Sequence, residues 1–387
     1  MEVKYITSEY VGKGHPDKFA DLISDVVVGT LYEQDKNSRC GVETLVKDNH
    51  VVIGGEIKTN ATALDVNTCV KEALDIVNYP KSHKELQFEN MLIENYIGTQ
   101  SREIDNGITN DDEIGAGDQG FVVGYASNET NEYLPLGVYL AKKIIIGLEN
   151  SERWIGPDMK CQVIVKYVDG VASEIDSILV STMHDESVSV NVVREYIIEF
   201  IKINRKLFDE KIFNRFIIPL PINKIIVNPC GDWNIGGPIS DCGVTGRKIV
   251  VDQYGGYANV GGGSLAGKDM TKVDRSGAYM ARYLAKNIVA ANLCSSAKVT
   301  ISYAIATPNP LSINVDMENA VVNSNDVAKW IIDNIDLSPN GIIKRFPVSK
   351  ELFISTVVNG HFGVENYPWE NFDIAYYLEQ AFFGNRG

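Results

Sequence analysis

The run from Asp241 to Lys286 reads DCGVTGRKIVVDQYGGYANVGGGSLAGKDMTKVDRSGAYMARYLAK. It sets Arg247, Lys248, Lys268, Lys272, Arg275, Arg282 and Lys286 against Asp241, Asp252, Asp269 and Asp274, in a chain whose formal net charge is -15. This is a positive island in an acidic protein. Its cations alternate with Gly243, Gly246, Gly255, Gly256, Gly261 to Gly263 and Gly267. Glycine lets backbone turn sharply and approach a ligand closely. Cations on such loops suit a polyanion, and carboxylates beside them suit a hard metal ion. A nucleoside triphosphate with magnesium satisfies both. Two generic spacings overlap here. Gly262 to Lys268 copies the P-loop, but Asp269 stands where Ser or Thr should reach the metal. Gly261-x-Gly263-x-x-Ala266 mimics a dinucleotide fingerprint, but the segment after Ala266 is polar and broken rather than helical. A bland Gly-rich surface loop fits the composition too.

Working outward, 387 residues suggest two or three domains. A hydrophobic share of 44% with 22% charged residues belongs to a globular chain with ample core material. The opening MEVKYITSEY has no apolar h-region, and no apolar run approaches the length of a membrane span. The six cysteines are scattered without a C-x-x-C, which reads as reduced thiols in a cytoplasm. The acidic balance argues against a nucleic-acid partner. No internal repeat is visible.

Along the chain, Gly14-His15-Pro16-Asp17-Lys18 opens a helix expected to run to Gln34, with Phe19, Leu22, Ile23, Val26, Val27 and Leu31 at helical spacing. His15, Asp17 and Lys18 therefore crowd the helix's positive end, where an anion is favoured. Strands are expected at 42–46, carrying Glu43, and at 50–57, ending in Gly54-Gly55-Glu56. A carboxylate inside an apolar strand demands a partner or a cation. The polar stretch 100–113 reads as a functional lid or a disordered loop, and GAGDQG (115–120) leads into a strand over 121–125. A helix is expected over 136–148, strands over 161–168 and 175–181, a helix over 190–203 and a strand over 225–227. Trp233, after Asn228-Pro229-Cys230-Gly231-Asp232, offers a stacking surface for a base or a core side chain. A helix over 276–292 and a strand over 298–306 come next, before a structural tail. Strands and helices thus alternate through three comparable stretches. This predicts an α+β protein of three similar α/β modules, each a mixed sheet covered by helices on one face.

Taken together, Thr7-Ser8-Glu9, GHPDK (14–18), GGEI (54–57), GAGDQG, DCGVTGRKIVVDQYGG, GGGSLAGKDMTKVDRSGAYMARYLAKNIVAA and SYAIA (302–306) resemble the S-adenosylmethionine synthetases, in family order and over nearly the whole chain. The resemblance implies pseudo-threefold modules: an N-terminal one over 2–99, an active-site loop over 100–114, a central one over 115–230 and a C-terminal one over 232–372. It also implies attack by methionine sulfur on the 5′ carbon of ATP, with triphosphate expelled and then cut to phosphate and diphosphate. A thioether loses no proton on becoming a sulfonium, so the first step needs no general base. Alignment and stabilisation of the leaving charge carry it instead.

On the same resemblance, His15 touches the leaving triphosphate, while Asp17 and Asp274 hold magnesium. Lys160, Arg247, Lys248 and Lys268 grip the phosphates. Lys272 lies near triphosphate and methionine. Asp158, Trp233 and Ser264 serve the nucleotide. Asp241 and Asp118 face the ribose, ammonium or sulfonium region, Glu56 and Gln100 the methionine site, and Glu43 a potassium ion. A homodimer or homotetramer with the site between subunits is implied. Five positions depart from the pattern: Ser240 for Gly, Asp232 for a basic residue, Trp233 for Phe, Ala266 for Ser and Arg102 for Pro. A phosphoryl- or adenylyl-transferring enzyme is one alternative. A non-catalytic homologue is another, though it would be expected to have lost Asp17, Lys160 or Lys268.

Overall fold

The order of elements repeats. This computed structural model describes residues 1–99, 109–110, 113–204 and 222–384. A first run contains β1 (Val3–Val11), α1 (Pro16–Gln34), β2 (Arg39–Lys47), β3 (His50–Lys58), α2 (Val66–Val77) and β4 (Leu92–Thr99). A short pair, β5 (Thr109–Asn110) with β6 (Glu113–Ile114), precedes the second run. That run is β7 (Gly120–Ser127), α3 (Leu136–Glu149), β8 (Ile155–Val168), β9 (Val171–His184), α4 (Val190–Asn204) and β10 (Ile225–Val227). The third comprises β11 (Gly243–Val244), α5 (Val273–Ala290), β12 (Ser296–Tyr303), β13 (Ser312–Glu318) and α6 (Ser324–Asn334). It closes with helices α7 (Pro339–Arg345), α8 (Lys350–Asn359) and α9 (Ala375–Phe383) where the others have a returning strand.

Each run lends its first strand to another run's hairpin. β1 pairs antiparallel with β8, β7 with β12, and β11 with β2. The sheets are therefore β11-β2-β3-β4, β1-β8-β9-β10 and β13-β12-β7, with β4 parallel to β3 and β10 parallel to β9. The exchange is cyclic, and three α+β modules interlock through it. The repeat is invisible in the sequence because the runs share an order of elements, not residues. The long helix of each run covers one sheet face: α1 lies on β2 and β11, α3 on β8 and β1, and α5 on β7 and β12.

Side chains alternate along the strands accordingly. In β2, Cys40, Val42, Thr44 and Val46 are buried under α1, while Glu43 and Leu45 point to the uncovered face. The expected burial cost at Glu43 thus does not arise in the single chain. Helix α1 runs Pro16–Gln34 as its spacing predicts. β8 starts earlier than expected, at Ile155, so Pro157 and Asp158 belong to the strand. The strand expected to reach Ala306 stops at Tyr303, and Ala306 has a φ of 63°. β1, β4, β13 and the tail helices carried no sequence expectation. The tail packs through Trp369, fully buried and stacked on Tyr279 at 3.8 Å between ring centroids.

Candidate active site

The Gly-rich arms between β11 and α5 are turns, with neither a strand before Gly261 nor a helix until Val273. The P-loop and dinucleotide spacings therefore lack the strand–loop–helix context that gives them meaning. What fixes the arms is α1. Its aspartates at 17, 21 and 25 recur every fourth residue and so share one face. Asp17 Oδ1 accepts the Val244 N–H at 3.0 Å, Asp21 Oδ1 the Gly246 N–H at 2.9 Å, and Asp25 Oδ1 the Gly267 N–H at 2.8 Å. Lys18 pairs with Asp21 at 3.1 Å and Asp252 at 2.7 Å, while Arg275 grips Asp25 through two nitrogens at 2.7 and 2.8 Å. All these side chains are buried. Sequence reasoning, looking for the apolar stripe of α1, missed Asp21 and Asp25. Their four-residue spacing from Asp17 on a helix otherwise rich in apolar residues was the available signal.

The predicted residues form two groups. The first gathers around the N-terminus of α1. His15 is its N-cap, and its Nδ1 accepts the Asp17 N–H at 3.2 Å. That bond leaves the proton of a neutral ring on Nε2. Burial and the neighbouring charge of Lys248 push the His15 imidazole down to about 4, so it is neutral at pH 7. Asp17, 1% exposed, pairs with Lys248 and lies 3.7 Å from Arg247. Burial raises its carboxyl, but the hydrogen bonds from Lys248 and the Val244 N–H outweigh this and hold it below the usual range.

Chain crossings place the rest of this group. Gly12 and Gly14 donate backbone bonds to Met159 and Pro157 at 2.9 and 3.0 Å, which brings β8 alongside. Lys160, opposite Val11 across the β1–β8 ladder, pairs with Glu9 at 2.5 Å. Asp158 accepts the Gly237 N–H at 2.7 Å, and burial pushes its carboxyl up to about 7. Asp241 accepts the Cys242 N–H at 2.8 Å, and the carbonyl of Cys242 accepts from Arg247 at 3.2 Å. Trp233 is partly exposed and sits just before Gly236, which packs on Asp158.

The second group surrounds the start of α5. Lys268 pairs with Asp274, and its backbone bridges to Gly41 of β2. Gly267 has a φ of 79°, and a Cβ there would fall 2.0 Å from the Val42 carbonyl oxygen. Only glycine fits that passage. Lys272 is the N-cap of α5 and lies beside Gly117, next to Asp118. Glu43 and Glu56 stand opposite Gly54 and Gly41, on the uncovered face of their sheet. Ser264 touches Gly246 and so lies where the two arms meet. Among the described residues, no hydrogen bond or ion pair joins the second group to His15, Asp17 or Lys248. Gln100 and Arg102 lie outside the described residues. Ala266 is buried, and its carbonyl accepts from Ser264 Oγ at 3.0 Å.

Among the described residues no three or more His, Cys, Asp or Glu side chains cluster as a metal cage. The two carboxylates expected to hold a metal, Asp17 and Asp274, each face a lysine instead. No described helix is long and apolar enough to cross a membrane.

Comparison with known proteins identifies the family. Family profiles for the S-adenosylmethionine synthetase N-terminal, central and C-terminal domains match residues 3–102, 113–233 and 235–371. The S-adenosylmethionine synthase of Mesoplasma florum is 40% identical over 379 residues, covering 96% of this chain and 98% of its own. That of Mycoplasmopsis synoviae is 41% identical over 381 residues, covering 96% and 95%. A solved structure described as an unusual S-adenosylmethionine synthetase from Campylobacter jejuni superposes with a TM-score of 0.86 at 35% identity, over 97% of this chain and 99% of that one. This chain belongs to the S-adenosylmethionine synthetase family.

Proposed function

We propose that the two groups are the halves of one reaction centre, in which ATP and L-methionine become S-adenosyl-L-methionine. The enzyme is a methionine adenosyltransferase. The methionine sulfur attacks the ribose 5′ carbon, the bond from that carbon to the triphosphate oxygen breaks, and both electrons leave with the triphosphate. Water then cuts the triphosphate to phosphate and diphosphate. The observation that carries this reading is the first group: His15 at the helix N-terminus, its Nδ1 taken by the Asp17 N–H and its Nε2 left to donate, among Lys248, Arg247 and Lys160. Such donors, fixed before the reaction, stabilise charge as it develops on the leaving oxygen. No side chain is needed as a base for the sulfur.

Lys268 and Lys272 hold the far phosphates and the methionine carboxylate side. Asp118, Asp241 and Glu56, with Gln100, receive the ammonium and the sulfonium region. Asp158, Trp233 and Ser264 take the nucleoside. Asp17 and Asp274, each now facing a lysine, would offer magnesium one carboxylate apiece, the kind of oxygen ligand that ion takes beside substrate phosphates. Bound there, the ion supplies further charge neutralisation on the triphosphate. Glu43, exposed on the uncovered face opposite Gly54, would be the potassium ligand.

The separation of the halves within one chain, and the uncovered sheet face carrying Glu43 and Glu56, support a homodimer or homotetramer. In it, the first group of one subunit meets the second group of its partner. The six cysteines are all unpaired, which suits a cytoplasmic enzyme. The test is direct. Pure protein with ATP, methionine, magnesium and potassium should yield a sulfonium of the expected mass together with phosphate and diphosphate. A phosphorylated product or AMP would refute the reaction, and full activity in a monomeric size-exclusion fraction would refute the shared site.

A further inference from the structure

Trp233 reaches its place through a clamp that no sequence motif announces. The segment after β10 turns back across the end of β9, where His184 is 1% exposed. The two residues bind each other twice: the His184 N–H donates to the Trp233 carbonyl at 2.9 Å, and the Trp233 N–H donates to His184 Nε2 at 3.1 Å. With Nε2 accepting, the ring proton sits on Nδ1, which meets the Asp185 carbonyl at 3.1 Å. The next residue is tied from both sides. Asn234 Nδ2 donates to the His184 carbonyl at 3.0 Å, and the Asn234 carbonyl meets His83 Nε2 at 3.0 Å. The indole Nε1–H donates to the Ile235 carbonyl at 2.8 Å, which fixes the ring's rotation while a face stays partly exposed.

Asp232 has its own occupation. Its Oδ1 accepts the N–H of Val190, the first residue of α4, at 2.7 Å and lies 3.7 Å from His184 Nε2. A carboxylate at a helix N-terminus is stabilised by the free N–H groups and the dipole. The acidic residue in a position where the family pattern is basic thus caps α4 from a distance and pins the loop.

We infer that His184 is a positioning residue for base recognition, acting through the Trp233 main chain, and that Asp232 anchors this loop on α4 instead of contacting phosphate. The inference rests on the reading that Trp233 stacks on the base. Losing one buried acceptor corresponds to up to roughly ten-fold in an equilibrium. His184→Ala should therefore raise the KM for ATP by about that factor, with kcat and the methionine KM little changed. The ATP-induced change in Trp233 fluorescence, isolated by subtracting the Trp233→Phe counterpart, should shrink in parallel. His184→Gln, whose side-chain oxygen can replace Nε2 as acceptor, should restore both, and it carries the test should the alanine variant fail to fold.

Trp233→Ala separates the two levels. If it leaves the ATP KM unchanged, base stacking is wrong and the inference falls with it. If it raises that KM while His184→Ala and the fluorescence signal stay at wild-type values, only the positioning role is overturned. Asp232→Asn keeps the acceptor for Val190 and should leave the ATP KM unchanged. A markedly lower value would place the Asp232 charge against the phosphates.

Discussion

The floor under the Gly-rich arms and the rim above it use the same residue types to different ends. On the floor, Asp25 and Arg275 are 0% exposed and share two short bonds. On the rim, Lys268 and Asp274 pair with side chains 20% and 11% exposed. Charges buried without water are stable only as a complete set, so the floor behaves as a rigid foundation. Rim charges keep some contact with solvent, so breaking their pairing costs the fold less than breaking a pair that has none. They are available to exchange one partner for another. On the proposed reaction, a phosphate or a metal ion would take the place each now gives to its neighbour. On the proposed function, the difference separates stability from catalysis by depth, over a single residue step from Asp274 to Arg275.

The comparison breaks most severely at Asp25. Asp25→Asn keeps an oxygen for the Gly267 N–H but leaves the Arg275 charge buried and unpaired. Breaking one partner of such a pair costs about 3–5 kcal/mol, which should appear as a large fall in the chemical-denaturation midpoint. Activity should fall as well, because Arg275 also donates to the Lys268 carbonyl at 3.0 Å. An unchanged midpoint would mean that the floor is not a foundation. Next in size is Lys268→Ala on the rim. Loss of one fixed donor to developing charge costs about 2.7–4 kcal/mol in the barrier, or roughly 10²–10³ in kcat. Its denaturation midpoint should fall clearly less than that of Asp25→Asn. Wild-type turnover would remove Lys268 from the chemistry, and a collapse in stability would erase the distinction between floor and rim.

The sequence exposed the rim better than the floor, for a physical reason. Cations and glycines at 241–286 suggest a polyanion without any knowledge of packing, and the N-terminal cap at His15–Asp17 is legible from Pro16 and the helical period. The floor is a set of long-range bonds, such as Asp25 to Arg275, whose partners lie 250 positions apart. Local periodicity cannot pair them. The same limit hid the strand exchange. Val3–Val11 belongs to a sheet whose other strands begin at Ile155, and β11 is only two residues long. The two-group division of the site was equally illegible, because motif order along the chain says nothing about which loops meet. Asp232 shows the reverse case: its departure from the family pattern is plain in the sequence, but its role at Val190 required the fold.

A third buried cation sharpens what a carboxylate partner does. Lys18, between Asp21 and Asp252, is held charged: burial alone would lower its ammonium, and the two carboxylates raise it far above its ordinary value. Lys142 is 5% exposed and, among the described residues, hydrogen-bonds only a carbonyl, that of Phe362 at 2.7 Å. Burial pushes its ammonium down to about 7. In the unfolded chain the same group keeps its proton to about 10.4. Between those limits the unfolded state binds more protons than the folded one, so the contribution of Lys142 to stability improves as pH rises through the window and is at its worst below it. Lys142→Met removes that dependence while leaving the Phe362 carbonyl without its donor, a cost that does not vary with pH. Relative to wild type, the variant should therefore be most favoured near about pH 6.5 and lose ground by about pH 9.5. Denaturant midpoints of both proteins across that range measure it. A gap that does not change with pH would show that Lys142 stays charged in the fold, and that a lone carbonyl can do for a buried lysine what Asp21 and Asp252 do for Lys18.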